Sequence, residues 1–156
     1  NTFRSKDDDL FGKEPFTWQD LKLPREISKA ITAAFPEIKT PTIIQKHAIP
    51  AQMKLHNVAF ASQTGSGKTL AYLIPLIAHL RKDELNSKVQ QPDGTVVDAC
   101  VRRPGYPRAV ILLPNRELAA QVTQIATKLS HHTKFSTLNM AGGDNPSRLQ
   151  KKIIMN

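Results

Sequence analysis

Apolar positions recur along this chain with a helical period in four places and as short unbroken runs in three others. Ile27, Ala30, Ile31 and Ala34 fall at i, i+3, i+4 and i+7, the stripe of an amphipathic helix. Pro24 suits its first position and Pro36 ends it. A second helix after Pro41 carries Ile44, Ala48, Ala51 and Leu55 at helical spacing. A third buries Leu70, Leu73, Ile74 and Ile77, with Pro75 as the expected kink. A fourth carries Leu118, Val122, Ile125 and Leu129. The unbroken runs lie between them. Residues 58–61 (Val-Ala-Phe-Ala) read as a strand, and residues 109–113 (Ala-Val-Ile-Leu-Leu) as a strand buried on both faces. Residues 135–140 read as a third, closed by Gly142 and Gly143. Strands alternating with helices predict an α/β fold, a parallel sheet with helices on both faces. Three strands are few for such a sheet, which points to missing chain.

Two stretches stand outside this pattern. Residues 1–15 are polar, contain Asp7-Asp8-Asp9, and read as a flexible N-terminal arm. Residues 82–107 read as a surface insertion: turn chemistry at residues 90–95, flanked by Val89 and by Val96-Val97, predicts a small excursion or hairpin. Its end mixes Arg102, Arg103 and Arg108 with Tyr106, a solvated loop or an RNA contact.

Composition narrows the function classes. At 156 residues the chain is one domain's worth, and its net charge of +9 favours an anionic partner. A nucleotide would occupy one small pocket, whereas an excess this large suits nucleic acid. Cys100 is the only cysteine, which excludes an internal disulfide and a cysteine-based zinc site. His47, His56, His79, His131 and His132 show no ligand spacing. No apolar run approaches a membrane span; the expected setting is intracellular, with the compartment open. The chain opens at Asn1 and stops at Asn156 in what reads as a helix or its exit, so a portion of a longer protein is expected.

The chemistry concentrates in residues 62–69, Ser-Gln-Thr-Gly-Ser-Gly-Lys-Thr, between the first apolar run and the third helix. A glycine-rich turn from strand to helix ending in Gly-Lys-Thr is a phosphate-binding loop. Gly65 and Gly67 let backbone N–H groups face inward where a Cβ would obstruct a polyphosphate, and Thr64 and Ser66 complete the turn. The helix adds the positive end of its dipole. Lys68 supplies a flexible charge for the β- and γ-phosphates, and Thr69 a hydroxyl for Mg²⁺. Ser62 stands where the general pattern prefers Ala or Gly.

Four motifs in order, spread from Phe16 to Gly143, resemble the first RecA-like domain of a DEAD-box RNA helicase. Residues 62–69 are similar to that family's first motif. Residues 114–119, Pro-Asn-Arg-Glu-Leu-Ala, resemble its motif Ia, with Asn115 in place of the usual Thr, and Gly142-Gly143 resembles the glycine doublet that follows. Residues 41–45, Pro-Thr-Ile-Ile-Gln, with Phe16 upstream, resemble the adenine-reading Q motif. The resemblance implies an incomplete first RecA-like ATP-binding domain over residues 16–156. ATP would be held by Phe16, Thr42, Gln45, Thr64, Gly65, Ser66, Gly67, Lys68 and Thr69, with Mg²⁺ on Thr69. RNA, single-stranded or within a ribonucleoprotein, would be held by Pro114, Asn115, Arg116, Gly142 and Gly143. A Gln amide offers adenine's N6 and N7 edge one acceptor and one donor, whereas guanine presents two acceptors. Phe16 lies further from Pro41 than is usual in the family and the customary glycine is absent, so Trp18 stands as an alternative stacking ring. Asn115 can cap the helix that Arg116 opens, leaving helix N–H groups and a guanidinium facing one way, a seat for a phosphodiester.

No paired-carboxylate motif follows the third run, so these residues offer binding groups without a catalytic acid, base or arginine finger and are not expected to hydrolyse ATP by themselves. The whole protein then reads as an ATP-dependent RNA helicase that remodels RNA or ribonucleoprotein. The alternative is a non-hydrolysing assembly factor of the same fold, docked on an RNA or ribonucleoprotein particle beside protein partners. A third reading, another phosphate-loop NTPase such as a small-molecule kinase, fits the residues 114–119 motif and the basic charge less well.

Overall fold

The computed structural model describes residues 16–86, 88–98, 106–141 and 147. The N-terminal arm, Arg102 and Arg103, the Gly142-Gly143 pair and the last nine residues lie outside that set.

Helices form where the apolar period placed them. A 3₁₀ turn at Trp18–Leu21 leads into α1 (Arg25–Ala34), with Pro24 one position earlier than expected, as the cap. α1 buries Ile27, Ala30 and Ile31, and its end at Ala34 precedes Pro36. α2 (Ile43–Met53) and α3 (Lys68–Asn86) follow, and α4 (Arg116–Ser130) buries Val122, Ala126 and Leu129. α3 is the central element. Its Leu70, Leu73, Ile74 and Ile77 are buried as the stripe required, and the helix runs through Pro75 without interruption. Each of these large side chains contributes about 1.5–3 kcal/mol by leaving water. Trp18, Leu21, Ile31, Ile49 and Leu129 close on α3 from the neighbouring elements to form one core.

The face of α2 that packs inward differs from the expected one. Gln45, Ala48 and Ile49 are buried, whereas Leu55 lies beyond the helix end and is 77% exposed. The cause is the way α2 terminates. Leu55 N–H donates to the Gln52 carbonyl at 2.8 Å and His56 N–H reaches the Ala51 carbonyl at 3.3 Å, the paired bonds of a Schellman motif. That motif places Leu55 in the left-handed region at φ 61°, where glycine is usual.

The parallel sheet is not formed among the described residues. Among the described residues the only strands are β1 (Lys88–Gln90) and β2 (Val96–Asp98), an antiparallel hairpin with Gln90 opposite Val96. This is the hairpin expected from the turn chemistry: Gly94 takes φ 84°, and the Asp93 carboxylate accepts from the Thr95 N–H at 2.9 Å. Residues 58–61, 109–113 and 135–140 form no ladder. In residues 109–113 the burial is one-sided. Ile111 and Leu113 pack on the helical core, while Val110 and Leu112 are 71% and 90% exposed. The period of two is that of a strand, but a buried parallel strand needs hydrogen-bonded neighbours and cover on its second face. Neither is present among the described residues.

An ionic cluster ties the chain returning from the hairpin to α3. Arg81 pairs with Glu26 of α1 at 3.0 Å and with Glu84 one turn on, and Arg108 donates to Glu84 at 2.7 Å and to the Leu80 carbonyl at 2.9 Å. Burial opposes the charge on Arg81, but the bonds and charges of Glu26 and Glu84 outweigh it and raise its pKa above the usual guanidinium value.

The α2 terminus yields a stability prediction. A left-handed L-residue costs about 1–2 kcal/mol, whereas glycine adds about 0.4–1 kcal/mol of unfolded-state entropy. Leu55→Gly is therefore expected to stabilise the protein by roughly 0.5–1 kcal/mol in urea unfolding. A lower midpoint than the parent would show that Leu55 makes a contact its exposure conceals.

Candidate nucleotide-binding site

The site begins with two glycines in a backbone conformation that other L-residues rarely adopt. Gly65 and Gly67 sit at φ 80° and 87°, turning residues 62–67 back on themselves before α3 starts at Lys68. A helix start leaves its first N–H groups without intrahelical partners, so the loop opens onto donors and the positive end of the dipole. At Gly67 the space is closed as well. A Cβ there would stand 2.5 Å from Gln45 Nε2 and 3.1 Å from Thr42 Oγ1, whereas a Cβ on Gly65 would meet nothing within 4 Å.

Lys68 does not project freely. Its Nζ donates to the Ser62 carbonyl at 2.6 Å and to the Gln63 carbonyl at 2.5 Å, so the ammonium lies over its own loop. Thr69 is half-buried one turn before Tyr72. Burial pushes the Tyr72 phenol up, and the neighbouring Thr69 hydroxyl pulls it partly back. Ser66 Oγ is buried without a hydrogen-bond partner, and Thr42 Oγ1 faces the Gln45 N–H in a capping box at the start of α2.

Gln45 joins the residues 41–45 motif to the phosphate loop directly. Its Oε1 accepts from the Thr42 N–H at 2.9 Å and its Nε2 donates to the Gly67 carbonyl at 3.1 Å, with the side chain 1% exposed. The two bonds set which end of the amide is oxygen. One acceptor lone pair and one N–H remain, in a place water does not reach. Phe16 is half-buried against the core with the Lys46 ammonium 5.0 Å from its ring centre, a cation–π distance. Trp18 is buried, and its indole N–H donates to the Ile38 carbonyl at 3.1 Å, so it is a core residue with no face open for stacking.

Gln52 was not singled out from the sequence. Two turns after Gln45 on α2, its Nε2 donates to the Ala71 carbonyl of α3 at 2.9 Å, and its own carbonyl meets His79 Nε2 at 2.9 Å. The seven-residue spacing of two glutamines was the only available signal. At the other motif, Asn115 Oδ1 accepts from the Leu118 N–H at 2.8 Å, the expected cap, and Pro114, Asn115 and Arg116 are exposed.

Residues 42–156 match the DEAD/DEAH box helicase family. The chain belongs to that family. Among curated relatives it is 39% identical over 126 residues to DEAD-box ATP-dependent RNA helicase 39 of Arabidopsis thaliana, covering 81% of this chain and 18% of that protein. It is 34% identical over 134 residues to the probable ATP-dependent RNA helicase DDX28 of Mus musculus, covering 86% and 22%. It is 35% identical over 135 residues to the ATP-dependent RNA helicase RhlB of Shewanella woodyi, covering 86% and 27%. The chain thus spans about a fifth to a quarter of the length of these helicases. Membership implies a RecA-like fold, of which the described residues show the helices around the phosphate loop. No described helix is long and apolar enough to cross a membrane.

The contrast between the two loop glycines is testable. Gly65→Ala and Gly67→Ala both place a side chain at positive φ, a strain of order 1–3 kcal/mol. Only Gly67→Ala also drives a methyl into the Gln45 amide. Guanidinium unfolding is expected to show the larger loss in Gly67→Ala, and equal losses would mean that the contact with Gln45 is easily given up.

Proposed function

We propose that the full-length protein is an ATP-dependent RNA helicase of the DEAD-box type, an intracellular remodeller of RNA or ribonucleoprotein. The observation that carries this reading is the hydrogen bond from Gln45 to Gly67, which makes the adenine-side motif and the phosphate loop one unit. Thr64, Gly65, Ser66, Gly67, Lys68 and Thr69 hold the triphosphate, and Thr42 and Gln45 sit against the loop from α2, with Phe16 the remaining ring for the base. The buried hydroxyl of Ser66 is the unpartnered group that a nucleotide or its water would satisfy.

Mg²⁺, when bound with ATP, would neutralise phosphate charge. Thr69 offers it one hydroxyl, and among the described residues no cluster of three His, Cys, Asp or Glu side chains exists that could bind a metal without the nucleotide. That donor set fits an ion that arrives with the phosphates and keeps most of its waters.

Pro114, Asn115, Arg116 and, beyond the described residues, Gly142 and Gly143 make the RNA face. The Asn115 cap holds the start of α4 so that exposed Arg116 and the helix dipole present one positive end to a phosphodiester. Residues 58–61, 109–113 and 135–140 are strands of the parallel sheet in the complete domain, a reading supported by the one-sided burial of residues 109–113.

Two measurements test the two faces. Lys68→Ala removes a charge-assisted contact worth about 1.5–3 kcal/mol, so calorimetric titration of the full-length protein is expected to show ATP binding weakened by about one to two orders of magnitude. Unchanged affinity would sink the phosphate-loop assignment. Arg116→Ala is expected to weaken binding to two unrelated single-stranded RNAs alike and to flatten the salt dependence by about 0.7 in slope, one phosphate's worth. An identical slope in parent and variant would place Arg116 away from RNA.

A further inference from the structure

α4 ends in a loop that borders a cleft of about 390 Å³, with Glu26 of α1 on one side and residues 130–135 on the other. The cations and donors of this cleft are uncommitted. Among the described residues, the side chains of His131, His132 and Lys134 are exposed and have no hydrogen-bond or ion-pair partner. The one carboxylate on the cleft is already neutralised: Arg81 holds both oxygens of Glu26, at 3.0 and 3.3 Å. No Asp or Glu occurs in the sequence from Leu118 to Gly143. The negative end of α4 is covered too. The Thr127 carbonyl accepts from the Ser130 hydroxyl at 2.8 Å and from His131 N–H at 3.3 Å, and the Leu129 carbonyl accepts from the N–H groups of His132 and Thr133. Those bonds satisfy carbonyls that would otherwise repel an anion. The helix dipole accounts for Lys128 in the last turn, but its influence fades within that turn, and Lys134 lies past the helix end at Ser130. Phe135, half-buried against the core, adds an aromatic wall. Cations beside an aromatic ring are the surface that single-stranded nucleic acid uses, its phosphates on the charges and a base on the ring.

We propose that the cleft at the end of α4 is a second RNA contact, in which the Lys134 ammonium and the imidazole N–H groups of His131 and His132 meet a phosphodiester and Phe135 meets an unstacked base. At a rise of about 1.5 Å per residue, α4 separates this cleft from Arg116 by about 20 Å. One strand laid along the helix reaches both. The proposal rests on the RNA reading above and extends it to the far end of α4. Contacts of this kind position a strand through charge and carry no sequence information.

The test is a salt titration of RNA affinity on the full-length parent, Lys134→Gln, Arg116→Ala and the double variant. The probe is an oligouridylate of about twenty nucleotides, longer than the roughly 4–16 that a single such groove covers. Lys134 is exposed, so its replacement leaves the core untouched. Lys134→Gln is expected to weaken binding about two- to fivefold at low salt and to flatten the slope by about 0.7, and the double variant to flatten it by about 1.4. Oligouridylate carrying thiouridine, cross-linked to the parent by light, is expected to label residues 131–135. An unchanged slope in Lys134→Gln overturns the proposal, and Arg116→Ala shows whether the RNA reading fails with it. Cross-links found only outside residues 131–135 overturn it as well. Polyglutamate, titrated against the same variants, separates RNA from an acidic protein partner. If Lys134→Gln loses polyglutamate and keeps the parent's affinity for RNA, the cleft docks protein and the proposal is overturned. A flattened slope in Lys134→Gln alone supports the cleft and removes Arg116 from the RNA face. A parent without affinity for RNA sinks the RNA reading first, and the proposal with it.

Discussion

The carbonyl of Gly67 is the point on which the site depends. Two helices meet there: α3 takes it as its first acceptor, and α2 reaches it through the buried amide of Gln45. A buried amide left without partners costs about 1–3 kcal/mol, so Gln45 tolerates its position only because Thr42 N–H and Gly67 supply both bonds. The contact in turn leaves no room for a Cβ at Gly67. Residue choice at Gln45 and at Gly67, in two different motifs, thus follows from one hydrogen bond. Gln52 repeats the device two turns along α2, on the Ala71 carbonyl, so that polar and apolar contacts alternate along the packing of α2 on α3.

Lys68 shows how a charged group rests beside such a loop. Its ammonium donates to the carbonyls of Ser62 and Gln63, which satisfies the charge locally and draws the loop around it. A phosphate must offer more than those two neutral acceptors, and an anion does, since charge-assisted bonds are roughly twice as strong as neutral ones. The net gain on binding is a difference between two hydrogen-bonded states, smaller than the strength of either. Ser66 Oγ works in the opposite direction. Buried without a partner, it raises the free energy of the loop, and any partner that reaches it lowers it.

The helices were legible because their signal is local. An apolar stripe, a proline at each side of α1 and an Asx cap at α4 act within a few residues of where they are read. The misreading of α2 has a different source. Counting only apolar residues put Leu55 on the inner face, whereas the buried face uses Gln45 and Ile49, because a glutamine with both ends bonded packs as core. Glycine at the loop positions was legible for its backbone, but the clash at Gly67 depends on a residue 22 positions earlier, and spacing alone does not reveal such a contact. Trp18 was ambiguous for a similar reason. Its value as a stacking ring or as core depended on whether Ile38 would meet its indole N–H.

Strands carry no such local signature of completion. In residues 109–113 the sequence specifies an apolar, strand-like segment, and its burial alternates, with Ile111 and Leu113 on the helices. To be a sheet strand it would need what only other segments can supply: ladder partners at its edges and cover for Val110 and Leu112. Nearly continuous hydrophobicity is meaningful only when both faces are covered, since an outward Leu at 90% exposure contributes nothing to the core. The phosphate loop is far less dependent on such neighbours. Its turn is dictated by two glycines, its carbonyl is held by α2, and its donors are set by the start of α3, all within the span from Thr42 to Ala71. For that reason the binding motif stands formed on its helices among residues where no parallel ladder does.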